Sequence, residues 1–312
     1  MALQNWMARI SDDTRLSQVT FPATHDSGMS RGSAQFKTQD VEVHMQLKYG
    51  ARQLDLRIVK VDEVYQAYHG SSPLIEYGET WDSITNGVVS FMAEFPTEVL
   101  ILKMDKQKPK DFLLIKELND KLKRANVPAP AAGGWLNGAR YIDTMTMRSL
   151  RGRILICSKE DNLTTWVEKC EPIHAAIQFC VWRKKEKEPY TVKEEVGISN
   201  EYPHYILLGQ SDGEYSNILY HRHILQKQES MRDIFKRTWR GYGLRGIWFN
   251  TFYWTECIRD KSIEVWNEDN KWRRDALWIN DPNNRQNVAS LDFIDEERGT
   301  YIVMKNPNYH ME

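Results

Sequence analysis

Four consecutive residues, Val99-Leu100-Ile101-Leu102, are large and apolar with nothing polar between them. A strand with one wet face alternates apolar and polar side chains, so the unbroken run between Glu98 and Asp105 predicts a strand covered on both faces. Arg153 to Ser158, through Ile154, Leu155 and Ile156, repeats the pattern, and Ala175 to Trp182 reads as another such strand. Covered strands need helices to cover them. Thr80 to Glu94 supplies one through the spacing of Trp81, Ile84, Val88, Phe91 and Met92, and Asp111 to Arg124 is amphipathic. Strands alternating with helices in this way predict a mainly parallel α/β sheet. A chain of 312 residues fits a single α/β barrel, although periodicity alone does not separate a closed barrel from an open sheet. With no internal repeat and no linker-like stretch, residues 1–312 read as one domain.

Further strands are expected at Val19 to Phe21, stopped by Pro22 because proline cannot donate to a ladder, and at Ala51 to Val59, where Leu54, Leu56 and Ile58 alternate with polar residues. Others are expected at Val64 to His69, Tyr205 to Leu208, Gly246 to Phe252 and Val288 to Ile294. Val41 to Tyr49 reads as a short helix ended by Gly50, and Leu219 to Arg237 and Ile258 to Leu277 as helical windows. Arg31 to Asp40, Pro128 to Gly138 and the charged stretch Arg183 to Glu188 read as loops.

The charge balance of 42 basic and 43 acidic residues gives no global attraction to nucleic acid or to an anionic membrane. Cys157, Cys170, Cys180 and Cys257 have no C-x-x-C spacing, which argues against zinc. Cys157 is expected to be a buried thiol, with a disulfide among the other three left open. Met1 to Asp12 lacks the basic start and apolar core of a signal peptide, and no stretch approaches the roughly 20 apolar residues of a transmembrane helix. A soluble chain is therefore expected, cytoplasmic or exported without a signal.

Polar residues collect where consecutive strands end. His25 and Asp26 follow the first, Asp55 and Arg57 end the second, His69 the third, Lys103 and Asp105 the fourth. In a parallel α/β architecture those ends share one rim, where ligands bind. Two histidines with acidic partners, an arginine and a lysine suit phosphodiester chemistry: one imidazole takes a proton, the other gives one, and the guanidinium holds the phosphate.

Pro22-Ala23-Thr24-His25-Asp26-Ser27-Gly28, then Gly50-Ala51-Arg52-x-x-Asp55-x-Arg57, then His69-Gly70, resembles the X-domain of the phosphatidylinositol-specific phospholipase C family, bacterial type. Pro96-Thr97-Glu98 extends the resemblance, and Arg151-Gly152-Arg153-Ile154 and Leu291-Asp292-Phe293-Ile294 continue it weakly. The resemblance implies a distorted, TIM-like (β/α) barrel and cleavage through an inositol 1,2-cyclic phosphate. It makes His25 the general base, Asp292 the carboxylate that orients it, Arg57 the phosphate ligand with Asp26 as its acidic neighbour, and His69 the general acid. Asp55, Gly70 and Lys103 become substrate-pocket residues, as does Lys159, where the bacterial family has an arginine. The Asp-x-Tyr that grips inositol in the family is not visible in Ile177 to Trp182.

The position of Arg57 is acidic in calcium-dependent relatives, so the resemblance implies no metal and no cofactor. The implied partner is an inositol phospholipid met transiently at a membrane surface by a monomer, with no nucleic acid. Two other functions compete: a non-catalytic lipid- or partner-binding module on the same barrel, and a metal-dependent glycerophosphodiesterase or sphingomyelinase-like enzyme. The latter needs a Glu-x-Asp metal pair that Asp55-x-Arg57 spoils. His44 reads as structural and His221 with His223 as surface residues, while Lys236 to Trp248 suits either a lipid interface or packing between helices.

Overall fold

The computed structural model describes residues 3–32, 36–71, 74–104, 112–131, 145–158, 169–170, 172–181, 205–208, 221–224, 288–291, 293–306 and 309. After a 3-10 segment, Leu3–Arg9, come β1 (Phe21–Thr24), α1 (Val43–Lys48), β2 (Gln53–Asp55), β3 (Ile58–Val61), β4 (Val64–Ser71) and β5 (Leu74–Thr80). These are followed by α2 (Trp81–Glu94), β6 (Leu100–Lys103), α3 (Phe112–Arg124), α4 (Met147–Leu150), β7 (Ile154–Ser158) and β8 (Ile177–Val181). Then come β9 (Tyr205–Leu208), β10 (His221–Ile224), β11 (Val288–Leu291) and α5 (Glu296–Val303).

Eight strands form one sheet in the order β8-β7-β6-β2-β1-β11-β10-β9, parallel throughout except for the antiparallel pair β9 and β10. β8 and β9 are its edges and do not pair with each other among the described residues. Among the described residues the barrel is thus distorted and open at one seam. A second sheet, β3-β4-β5, is antiparallel and lies apart from it.

The apolar runs are unbroken because both faces of the sheet are buried. Leu54, Leu100, Leu102, Ile154, Ile156, Ile177 and Phe179 pack outward with Leu47 of α1, Ile84, Val88 and Phe91 of α2, and Leu114 and Leu118 of α3. Their alternates, Phe21, Ala23, Ile101, Leu155 and Cys157, point inward with Leu3, Trp6 and Met7. α1 ends where Gly50 (φ 97°) turns the chain, with Gly50 N–H bonding Leu47 O (3.0 Å) and Ala51 N–H bonding Gln46 O (3.1 Å), the Schellman pattern. Thr80 caps α2 by accepting from Ser83 N–H at 3.2 Å. Among the described residues no helix is long and apolar enough to cross a membrane.

The first strand does not stop at Pro22 but runs through it to Thr24. Pairing with β2 starts only at Ala23 opposite Gln53, so the missing N–H of Pro22 falls below the start of that ladder. The strand expected over Ala51 to Val59 divides into β2 and β3 at Leu56 and Arg57, where pairing passes from β6 to β4. His69 therefore sits in the antiparallel sheet, not at the end of a third barrel strand; β4 runs on to Ser71, and β5 adds a strand where none was expected. His221 to Ile224 is strand, not helix, because it fills the space between β9 and β11. Cys157 is buried as expected; Cys170 is also a free thiol, closing that residue's disulfide option, and burial pushes it up to about 11. Cys257, residues 236–252 and the window at 258–277 lie outside the described residues.

Two glycines press the small sheet against the barrel rim. A Cβ on Gly28 would meet Ala67 Cβ at 2.4 Å, and one on Gly78 would meet Gly28 O at 2.2 Å. Glu79 N–H bonds Gly28 O at 2.8 Å across this contact. The close approach brings His69 over the loop that follows β1.

Candidate active site

Backbone hydrogen bonds fix four chain segments side by side at the rim. Ser27 N–H bonds Asp55 O (2.8 Å), Leu56 N–H bonds Lys103 O (2.9 Å), and Tyr68 N–H bonds Arg57 O (3.0 Å). Asp26 turns with φ 40°, in the left-handed region, a conformation that an aspartate tolerates better than most side chains. The turn carries its side chain, 0% exposed, into the middle of the cluster.

Arg57 is the hub. Its Nε lies 2.5 Å from Asp26 Oδ1, and its Nη2 lies 3.2 Å from Asp55 Oδ2 and 3.2 Å from His25 Nε2. Lys103 Nζ stands 3.8 Å from Asp55 Oδ1 on the other side. Burial works against the charge of Arg57, but Asp55 and Asp26 outweigh it and hold its pKa above the ordinary value. Burial also raises the Asp26 carboxyl, with Asp55 adding to the effect and His25, Arg57 and His69 opposing it.

The imidazoles share Asp26 but differ in their other partner. His25 Nε2 lies between a donor, Arg57 Nη2, and an acceptor, Asp26 Oδ2 at 3.4 Å. A neutral ring can accept from Arg57 there, and a protonated one can donate to Asp26. His69 Nδ1 is 2.9 Å from Phe36 O, and a carbonyl only accepts, so that nitrogen carries a proton. Its Nε2 faces Asp26 Oδ2 at 3.7 Å. The rings stand edge to face with centroids 6.3 Å apart, and their side chains are 15% and 25% exposed, so both reach solvent at one opening.

His25, Asp26 and Asp55 offer ligand atoms within 4.8 Å of one another, a spacing that a cation can bridge. Arg57 contacts an atom of each of these residues, and a bound ion would have to displace its guanidinium. As the residues stand, the donor set is already taken by a fixed cation.

His25, Asp26, Asp55, Arg57, His69 and Lys103 therefore converge, and exposed Gly70 (φ 97°) follows His69 in β4. Asp105, Lys159 and Asp292 lie outside the described residues, as do residues 236–248; β10 carries His221 and His223. His44 makes a structural contact, Nδ1 to Gly87 O at 3.3 Å. Sequence reasoning missed Phe36, whose ring meets His69 edge on at 5.6 Å, and the buried pair Thr38 and Gln39. All three lie in a stretch read as polar loop, where no periodicity marks a buried side chain.

Residues 12–128 match the family model described as PI-PLC X 1. The chain is 27% identical over 124 residues to a 1-phosphatidylinositol phosphodiesterase of Staphylococcus aureus (strain Newman), a match covering 38% of each protein. A protein of the same name from Listeria monocytogenes is 25% identical over 116 residues, 35% of each. The aligned segment thus spans just over a third of these relatives. Among solved structures, phosphatidylinositol-specific phospholipase C from Listeria monocytogenes aligns with a TM-score of 0.53 at 18% identity, covering 98% of this chain and 100% of that one. The F249X mutant of the Staphylococcus aureus enzyme gives 0.53 at 16%, with the same coverage. The chain is thus similar to the PI-PLC X 1 model over residues 12–128, and it shares the fold of the solved phosphatidylinositol-specific phospholipase C from Listeria monocytogenes.

Proposed function

We propose that this chain cleaves the phosphodiester of phosphatidylinositol or a related inositol lipid at a membrane surface, giving diacylglycerol and inositol 1,2-cyclic phosphate, without a metal ion. The observation that carries this reading is the contact of one guanidinium with His25, Asp26 and Asp55, beside a second imidazole.

The unlike surroundings of the two rings support unlike roles. His25, neutral at Nε2, takes the proton of the inositol 2-hydroxyl as its oxygen attacks phosphorus. The imidazolium so formed has Asp26 Oδ2 within 3.4 Å. His69, with Nδ1–H held by Phe36 O, gives its Nε2 proton to the departing diacylglycerol oxygen. Arg57 turns a permanently charged fork toward the non-bridging oxygens as charge builds there. Asp26 and Asp55 hold that fork; Lys103 adds positive charge beside it. By sequence resemblance Asp292 orients His25, and Lys159 and Gly70 line the pocket.

A phosphorus NMR time course on phosphatidylinositol micelles with EDTA present tests the reading. The expected outcome is conversion of the lipid phosphodiester signal to that of a cyclic phosphate. Turnover abolished by EDTA would favour the metal-dependent alternative, which the 4.8 Å donor cluster keeps physically concrete. Binding of inositol phosphate without turnover would favour the non-catalytic module.

A further inference from the structure

Glu79 has no part in the reaction proposed above, yet it is a carboxylate only 1% exposed where the small sheet meets the barrel rim. A β-bulge puts it there. Gln66 pairs with Thr80 and Tyr68 with Tyr77, so Gly78 and Glu79 both stand opposite Ala67. A bulge interrupts the ladder and re-aims the groups of the extra residue. The N–H of Glu79 bonds Gly28 O at 2.8 Å, and its side chain reaches toward the loop after β1 as well. Oε1 accepts from Ser30 Oγ at 2.7 Å and from Val43 N–H of α1 at 3.2 Å, while Oε2 accepts from Ser83 Oγ of α2 at 3.4 Å. One buried side chain thus ties three segments to β5.

His69 depends on that junction. It follows Ala67 by two residues in β4, and the groups it meets lie across the contact: Phe36 O is 2.9 Å from Nδ1, and Asp26 Oδ2 is 3.7 Å from Nε2. Both belong to the loop that Glu79 grips. Asp26 O accepts from Met29 N–H at 2.8 Å, and Met29 O accepts at 3.1 Å from the N–H of Thr38, two residues after Phe36. Gly28 and Ser30, the two residues of this loop that Glu79 bonds, flank Met29. A shift of the small sheet against the loop would move His69 away from its carbonyl partner and its carboxylate together. Leucine at position 79 would accept from none of the three donors. Glutamine, with its carbonyl in place of Oε1, would keep the bonds from Ser30 and Val43.

We propose that Glu79 is a positioning residue that docks the small sheet on the loop after β1 and thereby holds His69 against Phe36 O and Asp26. This rests on the functional reading above for the role of His69 as the acid. A displacement of about 1 Å at such a group can cost on the order of a hundredfold in rate.

The test compares Glu79→Leu, Glu79→Gln, Ser30→Ala and His69→Ala. The first readout needs no substrate. Nitrogen NMR of the neutral histidine rings in ligand-free protein reports which nitrogen of His69 carries the proton, its signal being the one missing from His69→Ala. The parent and Glu79→Gln should show Nδ1–H, and Glu79→Leu a mixture of tautomers. The second readout is kcat and KM on phosphatidylinositol micelles and on the 4-nitrophenyl ester of inositol 1-phosphate, whose leaving group departs without a proton from an acid. Glu79→Leu should lower kcat on the lipid about tenfold to a hundredfold with KM little changed, and lower it far less on the nitrophenyl ester. His69→Ala should show the same selectivity with a larger loss, and Glu79→Gln should restore most of the lipid turnover. Ser30→Ala, which removes one bond to the loop, should fall between the parent and Glu79→Leu. If Glu79→Leu fails to fold, Ser30→Ala carries the test. The proposal is overturned if the folded variants keep the parent tautomer and lipid kcat, or if they lose turnover equally on both substrates. It is equally overturned if the parent itself carries the His69 proton on Nε2. A tautomer that changes with Glu79 in a protein that turns over no inositol lipid would overturn the functional reading and leave the positioning role standing.

Discussion

Arg52 and Asp55 belong to the same short segment, and they anchor two charge clusters of opposite character. At the start of β2, Arg52 and Glu98 are both 0% exposed and paired through Nε at 2.8 Å and Nη2 at 2.7 Å. The remaining Arg52 contacts go to the carbonyls of Leu3, Gln4, Leu47 and Ala51, and Glu98 also accepts from the N–H groups of Met7 and Ala8. The guanidinium carbon lies over the Phe91 ring, 4.8 Å from its centroid. At the far end of the strand, Asp26 is surrounded by Arg57 and two imidazoles, yet among the described residues neither of its carboxylate oxygens makes a hydrogen bond of good geometry, nor does Arg57 Nε. The first cluster is saturated, so it can only hold the fold. The second holds its buried carboxylate by charge rather than by well-directed hydrogen bonds, and the side chains of Arg57, His25 and His69 stay partly exposed, so its cations can still meet an anionic ligand.

Breaking the saturated cluster should have the larger effect on stability. Glu98→Gln leaves Arg52 as a buried charge without its counter-ion and should cost about 3–5 kcal/mol in urea unfolding. The double substitution Arg52→Met/Glu98→Leu should cost less than Glu98→Gln alone, because it removes the stranded charge as well. The protein that remains folded should keep its turnover.

The rim should respond the other way. His25→Ala or His69→Ala is expected to lower turnover at least about a hundredfold, the usual size of a lost general acid or base. Thermal midpoints should stay close to the parent, since both side chains are partly exposed and outside the apolar clusters. A large drop in midpoint with turnover retained would erase the distinction between the two ends.

A smaller effect sharpens the boundary between them. Glu79, 1% exposed, joins the loop after β1 to α1 by accepting from Ser30 Oγ (2.7 Å) and Val43 N–H (3.2 Å). Burial pushes its carboxyl up to about 7, against those hydrogen bonds. Between the ordinary 4.5 and about 7, the folded protein holds a proton that the unfolded chain has released. Stability therefore falls as pH rises through that window and stays low above it, by no more than roughly 3 kcal/mol. Glu79→Gln should flatten this slope in denaturant titrations at pH 5, 6, 7 and 8. An unchanged slope would assign the pH dependence to another group.

What could be read in the sequence follows how local each feature is. Gly50 ending α1, Thr80 opening α2 and the covered run in β6 depend on neighbours in sequence, and all appear where expected. The alternation of Ala51 to Val59 continues across Leu56 and Arg57 although the pairing partner changes, so the pattern had no means of marking the break. β10 is a strand because β11 and β9 flank it, a fact that no window around His221 contains. At the site, His25, Asp26, Asp55, Arg57, His69 and Lys103 were legible as chemistry at strand ends, and they meet. Phe36, Thr38 and Gln39 were not, because burial of a short polar loop is decided by residues more than two hundred positions away, as in the bond from Gln39 to Leu291.

In the proposed reaction Arg57 does the work a metal ion would do at this rim. That role is tested most directly by turnover of phosphatidylinositol micelles by the parent, Arg57→Lys and Arg57→Asp, each with EDTA and with calcium in the millimolar range. The parent should be equally active in both. Arg57→Lys, which keeps the charge and loses the fork, should lose most of its turnover with little change in affinity. Arg57→Asp should be inactive in EDTA, with any recovery confined to calcium, since Asp26, Asp55 and the new carboxylate would supply oxygen ligands. A parent that stops in EDTA, or an Arg57→Lys variant that matches it, would contradict the assignment of Arg57.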